Sequence, residues 1–195
     1  MKYLFSSIVF LMLSLCTWGQ ESEHLNVLEA DSTWKKESFK FPIGFAPSID
    51  YEGYEDVRFS PGWSDVNSQG FWSYMFAWHI KGNQAQTISS LQAHLKVYFD
   101  GLMNAVNKDK SLEVPKTTAV FTKAKTGSNA DFNGKVTVYD AFHTKALLTL
   151  NVSVKNNYCK EKDESIILFK LSPKPFDDAL WKTFDSIKVR QGICK

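Results

Sequence analysis

One stretch of the sequence, from Phe71 to Ile80, constrains the fold more than any other, because its side chains alternate between two sets. The first set is Trp72, Tyr74, Phe76, Trp78 and Ile80, and the second is Phe71, Ser73, Met75, Ala77 and His79. Alternation with a period of two residues predicts a β-strand. Since both sets are largely apolar, we expect this strand to be central in its sheet, with both of its faces covered.

The residues that follow change to the period of a helix. Apolar side chains recur every three or four positions from Thr87 to Val106, which predicts one amphipathic helix of about five turns. Thr87 is a favourable N-cap residue. Gly101 lies inside the helix at a cost of about 1 kcal/mol relative to alanine, so we expect either close packing there or an early end. The apolar stripe comprises Ile88, Leu91, Leu95, Tyr98, Leu102 and Val106.

The second half of the sequence predicts an antiparallel meander of four strands. Alternating patterns cover residues Thr117–Lys125, Lys135–Phe142, Ala146–Lys155 and Glu164–Leu171. The pair Asn133-Gly134 is favoured in tight hairpins, and we predict that it turns the chain between the first two strands.

A short helix closes the predicted fold. It begins at Asp177 or Asp178, and its inward side chains are Leu180, Trp181, Phe184 and Ile187. Strands that are segregated from helices in this way indicate the α+β class. We therefore predict an antiparallel β-sheet packed by one long helix and a short C-terminal helix, forming a single α+β domain over residues 34–195.

The first residues predict the destination of the protein. Lys2 precedes a nearly unbroken apolar run, and small residues lie before Gln20, which is the pattern of a secretory signal peptide over residues 1–19. The run is too short for a transmembrane helix of about 20 apolar residues. We expect an exported protein, periplasmic or secreted, with no transmembrane anchor after cleavage and a flexible lead-in over residues 20–33. Lipidation at Cys16 is the weaker alternative, because a bulky leucine precedes it.

Charge and cysteine content narrow the classes of function further. The formal net charge is +2, and no block of like charge appears. Nucleic-acid binding usually shows a basic face or stripe, so we expect no nucleic-acid partner. Removal of the leader leaves Cys159 and Cys194, and an even count in an oxidising compartment favours a disulfide over two separate thiols.

Several segments of the sequence carry a family resemblance. The first half contains Phe41-Pro42-Ile43-Gly44-Phe45-Ala46-Pro47, Glu55-Asp56-Val57-Arg58-Phe59-Ser60-Pro61-Gly62-Trp63 and Phe71-Trp72-Ser73-Tyr74. These segments resemble parts of exported bacterial proteins of unknown function, and the resemblance implies no activity. The ending, two strands followed by Trp181-Lys182-Thr183-Phe184-Asp185-Ser186-Ile187, is similar in layout to the PsbP-like α/β/α sandwich. A shared fold does not imply a shared function.

Catalytic and metal-binding patterns are weak in this sequence. Ser64 lacks the G-x-S-x-G elbow of serine hydrolases. The histidines have neither H-E-x-x-H spacing nor a helical pair, and we expect no metal site and no cofactor. Asp50, Glu52, Glu55 and Asp56 cluster in a turn-rich region, and we interpret them as a solvated face.

The sequence between Trp34 and Trp78 is rich in aromatic residues, and we interpret some of them as a binding surface. Rings outside clear strands favour recognition more than rings inside them, because binding residues concentrate on loops held by a rigid scaffold. We predict a site where the loop of residues 51–63 meets the central strand, formed by Tyr51, Tyr54, Arg58, Trp63 and His79.

The resulting hypothesis is a non-catalytic exported domain that binds an unknown ligand. Two alternatives stay open. One is an envelope hydrolase that uses His79 or His143 with a nearby carboxylate. The other is a structural partner that docks another envelope protein through exposed aromatic side chains.

Overall fold

The fold is built from nine strands and two α-helices within the part of the chain that the structure describes, residues 26–195. The coordinates are a computed structural model. The elements are β1 (Leu28–Glu29), β2 (Lys35–Lys40), β3 (Gly53–Phe59), β4 (Tyr74–Lys81), α1 (Ile88–Val106), β5 (Thr118–Lys123), β6 (Phe132–Tyr139), β7 (Leu147–Cys159), β8 (Glu164–Ser172), α2 (Leu180–Thr183), a 3₁₀ turn (Phe184–Ser186) and β9 (Lys188–Val189). The expected signal peptide, and Cys16 within it, lie outside the described residues.

Seven strands form one antiparallel sheet in the order β2-β3-β4-β8-β7-β6-β5, and β1 pairs with β9 in a second, two-stranded sheet. The central position predicted for the alternating strand is confirmed, because β4 pairs with β3 on one side and β8 on the other. The predicted α+β class, an antiparallel sheet with one long helix and a short C-terminal helix, is also confirmed.

Helix α1 packs across one face of the large sheet, which we call the helix face. Its N-cap is Thr87, whose side chain accepts a hydrogen bond from the backbone N–H of Ser90 while the Ser90 side chain accepts from Thr87. Gly101 lies so close to the chain that an added Cβ would sit 1.7 Å from the carbonyl oxygen of Phe45. The expectation of close packing at this glycine is therefore confirmed.

The helix face buries the rings of the central strand. Trp72, Tyr74, Phe76, Trp78 and Ile80 are each at most 3% exposed. The Phe76 ring stacks on Phe169 of β8 at a centroid distance of 4.5 Å and on Tyr98 of α1 at 5.5 Å. Burial of this set removes several hundred Å² of apolar surface from water, at about 25 cal/mol per Å². The aromatic first half of the chain thus packs mainly into its own interior.

The opposite face of β3, β4 and β8 is covered by β1, β9, α2 and the disulfide, and we call it the disulfide face. Val27, Leu28, Phe184 and Ile187 pack there against Met75 and other apolar residues of the sheet. The predicted disulfide is confirmed, since Cys159 is bonded to Cys194 across 35 residues.

Two sequence-based predictions differ from the structure: the position of the turn between β5 and β6, and the length of the closing helix. Asn133 and Gly134 lie inside β6, paired with Thr122 and Phe121, so the turn between β5 and β6 falls earlier, at residues 124–131. Strand pairing outweighs the turn preference of this dipeptide, because Gly134 leaves room for the Phe121 ring, which an added Cβ would approach to 2.5 Å. The closing helix is also shorter than expected; Phe184 and Ile187 are buried, but Leu180 and Trp181 are only half-buried.

Order also begins before Trp34, where we had expected a flexible lead-in. Val27 and Leu28 are at most 1% exposed, and their backbone N–H groups donate to Oδ2 of Asp56 at 2.8 and 2.9 Å. A polar, acidic sequence gave no local signal for this strand, since its partner β9 is remote in the sequence. Within residues 26–195, no helix is long and apolar enough to cross a membrane.

Candidate ligand-binding site

A cavity of about 370 Å³ lies between the edge strand β2, the loop of residues 60–64 and helix α1. We call it the aromatic cavity. It belongs to the helix face, because the sheet residues that line it, such as Val57, Phe59 and Tyr74, alternate toward α1. The space therefore continues the aromatic core toward one edge of the sheet.

Eight aromatic side chains line the aromatic cavity: Phe39, Phe45, Phe59, Trp63, Trp72, Tyr74, Tyr98 and Phe142. Several of them touch edge to face, as in the pair Phe59–Trp63 at a centroid distance of 4.8 Å and the pair Phe45–Tyr98 at 5.0 Å. Such contacts fix the ring orientations, because the positive edge of one ring meets the negative face of the next. A ligand would meet mostly ring faces and edges.

Backbone hydrogen bonds hold the loop that carries two of these rings. The Trp72 N–H donates to the carbonyl oxygen of Trp63 at 3.1 Å, and the Ser60 N–H donates to the carbonyl of Ser73 at 3.1 Å. The Ser60 hydroxyl adds a buried bond to the carbonyl of Gly70 at 2.8 Å. These hydrogen bonds join residues 60–63 to residues 70–73 and so fix the positions of Trp63 and Trp72.

A buried carboxyl group lies one hydrogen bond behind the cavity wall. Glu55 is 0% exposed; its Oε1 accepts from the Tyr98 hydroxyl at 2.8 Å and its Oε2 from the Trp78 indole N–H at 2.6 Å. Burial raises the pKa of Glu55 to about 7, although these two hydrogen bonds lower it. None of the ion pairs within residues 26–195 includes Glu55.

The two tyrosines of the wall are electrostatically coupled to this carboxyl group. Burial raises the pKa of both Tyr74 and Tyr98 well above the usual value, and the charge of Glu55 raises each further. Both phenols therefore stay protonated at physiological pH, and their hydroxyl groups are neutral hydrogen-bonding groups beside the cavity.

Strand β2 contributes the charged lining residues of the aromatic cavity. Lys35 and Glu37 are two residues apart on this edge strand, so they share a face, and both are exposed. Glu37 is also one of the charges that raise the pKa of Glu55. The lining thus combines an aromatic interior with one cation and one anion on the edge strand.

No protein-family model, curated protein or solved structure matches this chain. Its site therefore has to be understood from geometry and chemistry.

A second, polar cleft of about 530 Å³ lies near the other end of β3 and β4. His79 is central to it: its Nδ1 lies 3.1 Å from the Tyr54 hydroxyl and its Nε2 lies 2.8 Å from Oε2 of Glu164. Burial raises the pKa of Tyr54 to about 12, so this phenol is not activated as a nucleophile or base. Lys81, Lys162 and Arg190 also line the cleft.

The five residues predicted from the sequence to form one site lie in separate places. Trp63 lines the aromatic cavity, whereas Tyr54 and His79 belong to the polar cleft. Tyr51 packs in the core against Trp78, Phe41 and His94 rather than lining either space. Arg58 is 5% exposed and forms a buried ion pair with Asp56, so its partner belongs to the chain itself.

The residues that the sequence reasoning missed are Glu55, Tyr74 and Tyr98. The interpretation of Glu55 and Asp56 as a solvated face is wrong, since both lie in β3 and are 0% exposed. One signal was available: Glu55 alternates in register with Val57 and Phe59, which places a carboxyl group on an apolar face.

The other proposed catalytic residue is His143, and no carboxylate of residues 26–195 forms an ion pair with its ring. Asp140 instead accepts the backbone N–H groups of Phe142, His143 and Thr144 at 2.8 to 3.0 Å, which stabilises the turn. Burial alone would raise the pKa of Asp140, but hydrogen bonds from Thr144 and His143 outweigh it and lower this pKa. Among the described residues, no group of three or more His, Cys, Asp or Glu side chains could hold a metal ion.

Proposed function

We propose that this protein is a non-catalytic, exported binding protein that holds a small ligand with an apolar body in the aromatic cavity. The volume of about 370 Å³ supports this proposal, because ligand sites for small molecules typically enclose about 300–1,000 Å³ and are lined by apolar and aromatic side chains with few polar groups. The Cys159–Cys194 disulfide supports an oxidising compartment, periplasmic or extracellular.

The observation that carries the proposal is a carboxyl group placed behind an aromatic wall. Ordinary cores exclude charge unless it is paired, because an unpaired buried carboxylate is costly. Glu55 is held there without a cation in the described chain, next to space that a ligand can enter. Strongly shifted titrating groups at clefts are more frequent at functional sites than elsewhere.

A titration with N-phenyl-1-naphthylamine, an uncharged dye that fluoresces in apolar pockets, tests this proposal. We expect saturable, blue-shifted dye emission with the parent protein. Leu102 lines the aromatic cavity, so the substitution Leu102→Trp should fill it and weaken dye binding by at least about tenfold. Val97→Trp on the same helix is the matched control, because Val97 is 37% exposed and does not line the cavity.

The titration has two outcomes that would contradict the proposal. The first is the absence of saturable emission with the parent protein. The second is equal binding by Leu102→Trp and Val97→Trp, which would place the dye elsewhere on the protein. Thermal unfolding of both variants verifies that they are folded.

A second candidate is a hydrolase at the polar cleft, favoured by the contact between His79 and Glu164 at 2.8 Å. A histidine oriented by a carboxylate is the arrangement of general-base catalysis. Ester and amide substrates should then be turned over by the parent protein and by His143→Ala, and not by His79→Ala. This candidate would be ruled out if no turnover were found, or if the parent protein, His143→Ala and His79→Ala showed equal turnover.

A further inference from the structure

The charged groups around the aromatic cavity differ in how strongly they act on its interior. Glu55 is fully buried, so its charge acts through a medium of low dielectric. Lys35 and Glu37 are exposed on the edge strand, where water and salt screen them. When Glu55 is ionised, we therefore expect the electrostatic potential inside the cavity to be negative.

The lining itself also favours positive charge. The face of an aromatic ring carries negative electrostatic potential and attracts a cation within about 6 Å of its centroid, most strongly when the cation is desolvated. Eight rings line this cavity, and two of them are tryptophans, the best partners for a cation. A cation inside would meet rings on several sides.

Glu55 lacks the counter-ion that buried carboxylates normally have. Its partners are two neutral donors, Tyr98 and Trp78, and the other groups that act on it, Asp56 and Glu37, are acidic. Its neighbour Asp56, by contrast, is paired with Arg58. Glu55 does not itself line the cavity, so a cation inside would supply a nearby positive charge without touching the carboxylate.

We propose that the ligand of the aromatic cavity is an organic cation, an ammonium group attached to an apolar or aromatic body. This inference rests on the proposed binding function and specifies the chemical class of the ligand. Ring faces bind the ammonium group by cation–π attraction, and the negative charge of Glu55 attracts it from behind Tyr98, a residue that lines the cavity and donates its hydroxyl to Glu55.

The proposal makes binding dependent on pH. A cation favours the ionised carboxylate, so it lowers the pKa of Glu55 and releases a proton when it binds near neutral pH. The titratable groups on the helix face that are coupled to Glu55 are Glu37 from β2, Tyr74 from β4 and Tyr98 from α1, and Asp56 acts on it from the opposite face of β3. Burial keeps the pKa of both tyrosines well above neutral pH, whereas the pKa of Glu55 is about 7, so Glu55 is the group whose change of charge the proposal uses.

Two probes of nearly equal shape test the ligand class. Phenyltrimethylammonium and tert-butylbenzene differ by a positive nitrogen in place of a carbon, and each can displace N-phenyl-1-naphthylamine from the parent protein. At pH 8 we expect the cation to displace the dye at a concentration at least about fivefold lower than the hydrocarbon. At pH 5.5 this preference should shrink, because Glu55 is then protonated.

The substitution Glu55→Gln keeps the shape and removes the charge, so it should abolish most of the preference for the cation while the hydrocarbon displaces the dye as before. Glu113→Gln, at an exposed residue that does not line the cavity, should leave the preference unchanged. If Glu55→Gln does not fold, the comparison of pH 8 with pH 5.5 in the parent protein tests the same carboxyl group. Calorimetry in two buffers of different ionisation enthalpy should record proton release by the parent protein.

The outcomes separate this inference from the proposed function. Dye binding with equal displacement by the two probes at pH 8 would overturn the cation and leave the binding function standing. A preference that survives unchanged in Glu55→Gln and at pH 5.5 would overturn the role of the carboxylate. No dye binding at all would overturn both.

Discussion

Glu55 and Asp56 are neighbours in β3, both 0% exposed, and they are buried in opposite ways. Asp56 points to the disulfide face, where Arg58 and the backbone N–H groups of Val27 and Leu28 bind it. Glu55 points to the helix face, where two neutral donors bind it and no cation of residues 26–195 forms an ion pair with it. Adjacent residues of one strand therefore differ in pairing: Asp56 has a counter-ion, and Glu55 has none among the described residues.

The groups that surround each carboxyl group account for this difference. Burial raises the pKa of Asp56, but the N–H of Leu28, the guanidinium of Arg58 and the N–H of Val27 all oppose this. Those three groups also fasten β1 to the sheet, so this carboxyl group has a structural role. Burial dominates at Glu55 and raises its pKa to about 7, and Tyr98, which donates to it, lines the aromatic cavity; the proposed response to a ligand rests on these two observations.

Removal of Asp56 should have the largest effect. Asp56→Ala leaves the Arg58 guanidinium buried and two backbone N–H groups without their acceptor, and we expect a loss of about 3–5 kcal/mol in the free energy of unfolding. Urea denaturation measures it. The matched control is Glu52→Ala, whose ion pair with Lys81 is exposed and worth at most about 1 kcal/mol. Losses of similar size in the two variants would contradict the structural role of Asp56.

The pH dependence of stability should give the next largest effect. The pKa of Glu55 is about 7 in the folded protein against 4.5 as its ordinary value. Between these values the folded state binds more protons than the unfolded state, so stability falls as pH rises from about 4.5 to 7 and then levels off, by up to about 3 kcal/mol in total. Urea denaturation of the parent protein at several pH values measures this.

Glu55→Gln isolates that contribution, since every other titrating group is shared with the parent protein. The difference in unfolding free energy, parent minus variant, should decrease with rising pH across the same window. A difference that is constant with pH, or that increases with it, would show that Glu55 does not titrate as described.

Gly101→Ala should have the smallest effect of the three. An added Cβ meets the carbonyl oxygen of Phe45, whose ring lines the aromatic cavity, so we expect a net loss of about 1–2 kcal/mol and weaker dye binding. The helix preference of alanine alone would instead stabilise the protein by about 1 kcal/mol. The reverse change at the exposed Ala105, Ala105→Gly, calibrates that preference, and a stabilised Gly101→Ala would contradict close packing.

Sequence reasoning predicted the elements whose signals are local. Strand β4 and helix α1 were found because apolar side chains repeat within each of them. The site was not found as a unit, because Glu55, Trp78 and Tyr98 meet only through the pairing of β3 with β4 and the packing of α1. Strand β1 was missed for the same reason, since its partner β9 and its acceptor Asp56 are distant in the sequence.

The pairing of β4 with β8 and of β1 with β9 has a consequence for how the chain is made. During synthesis, residues 74–81 emerge from the ribosome well before residues 164–172. Strand β1 emerges first of all the strands, and its partner β9 emerges last. The centre of the sheet therefore cannot close before residues 164–172 have been synthesised, and β1 cannot pair before residues 188–189 have been.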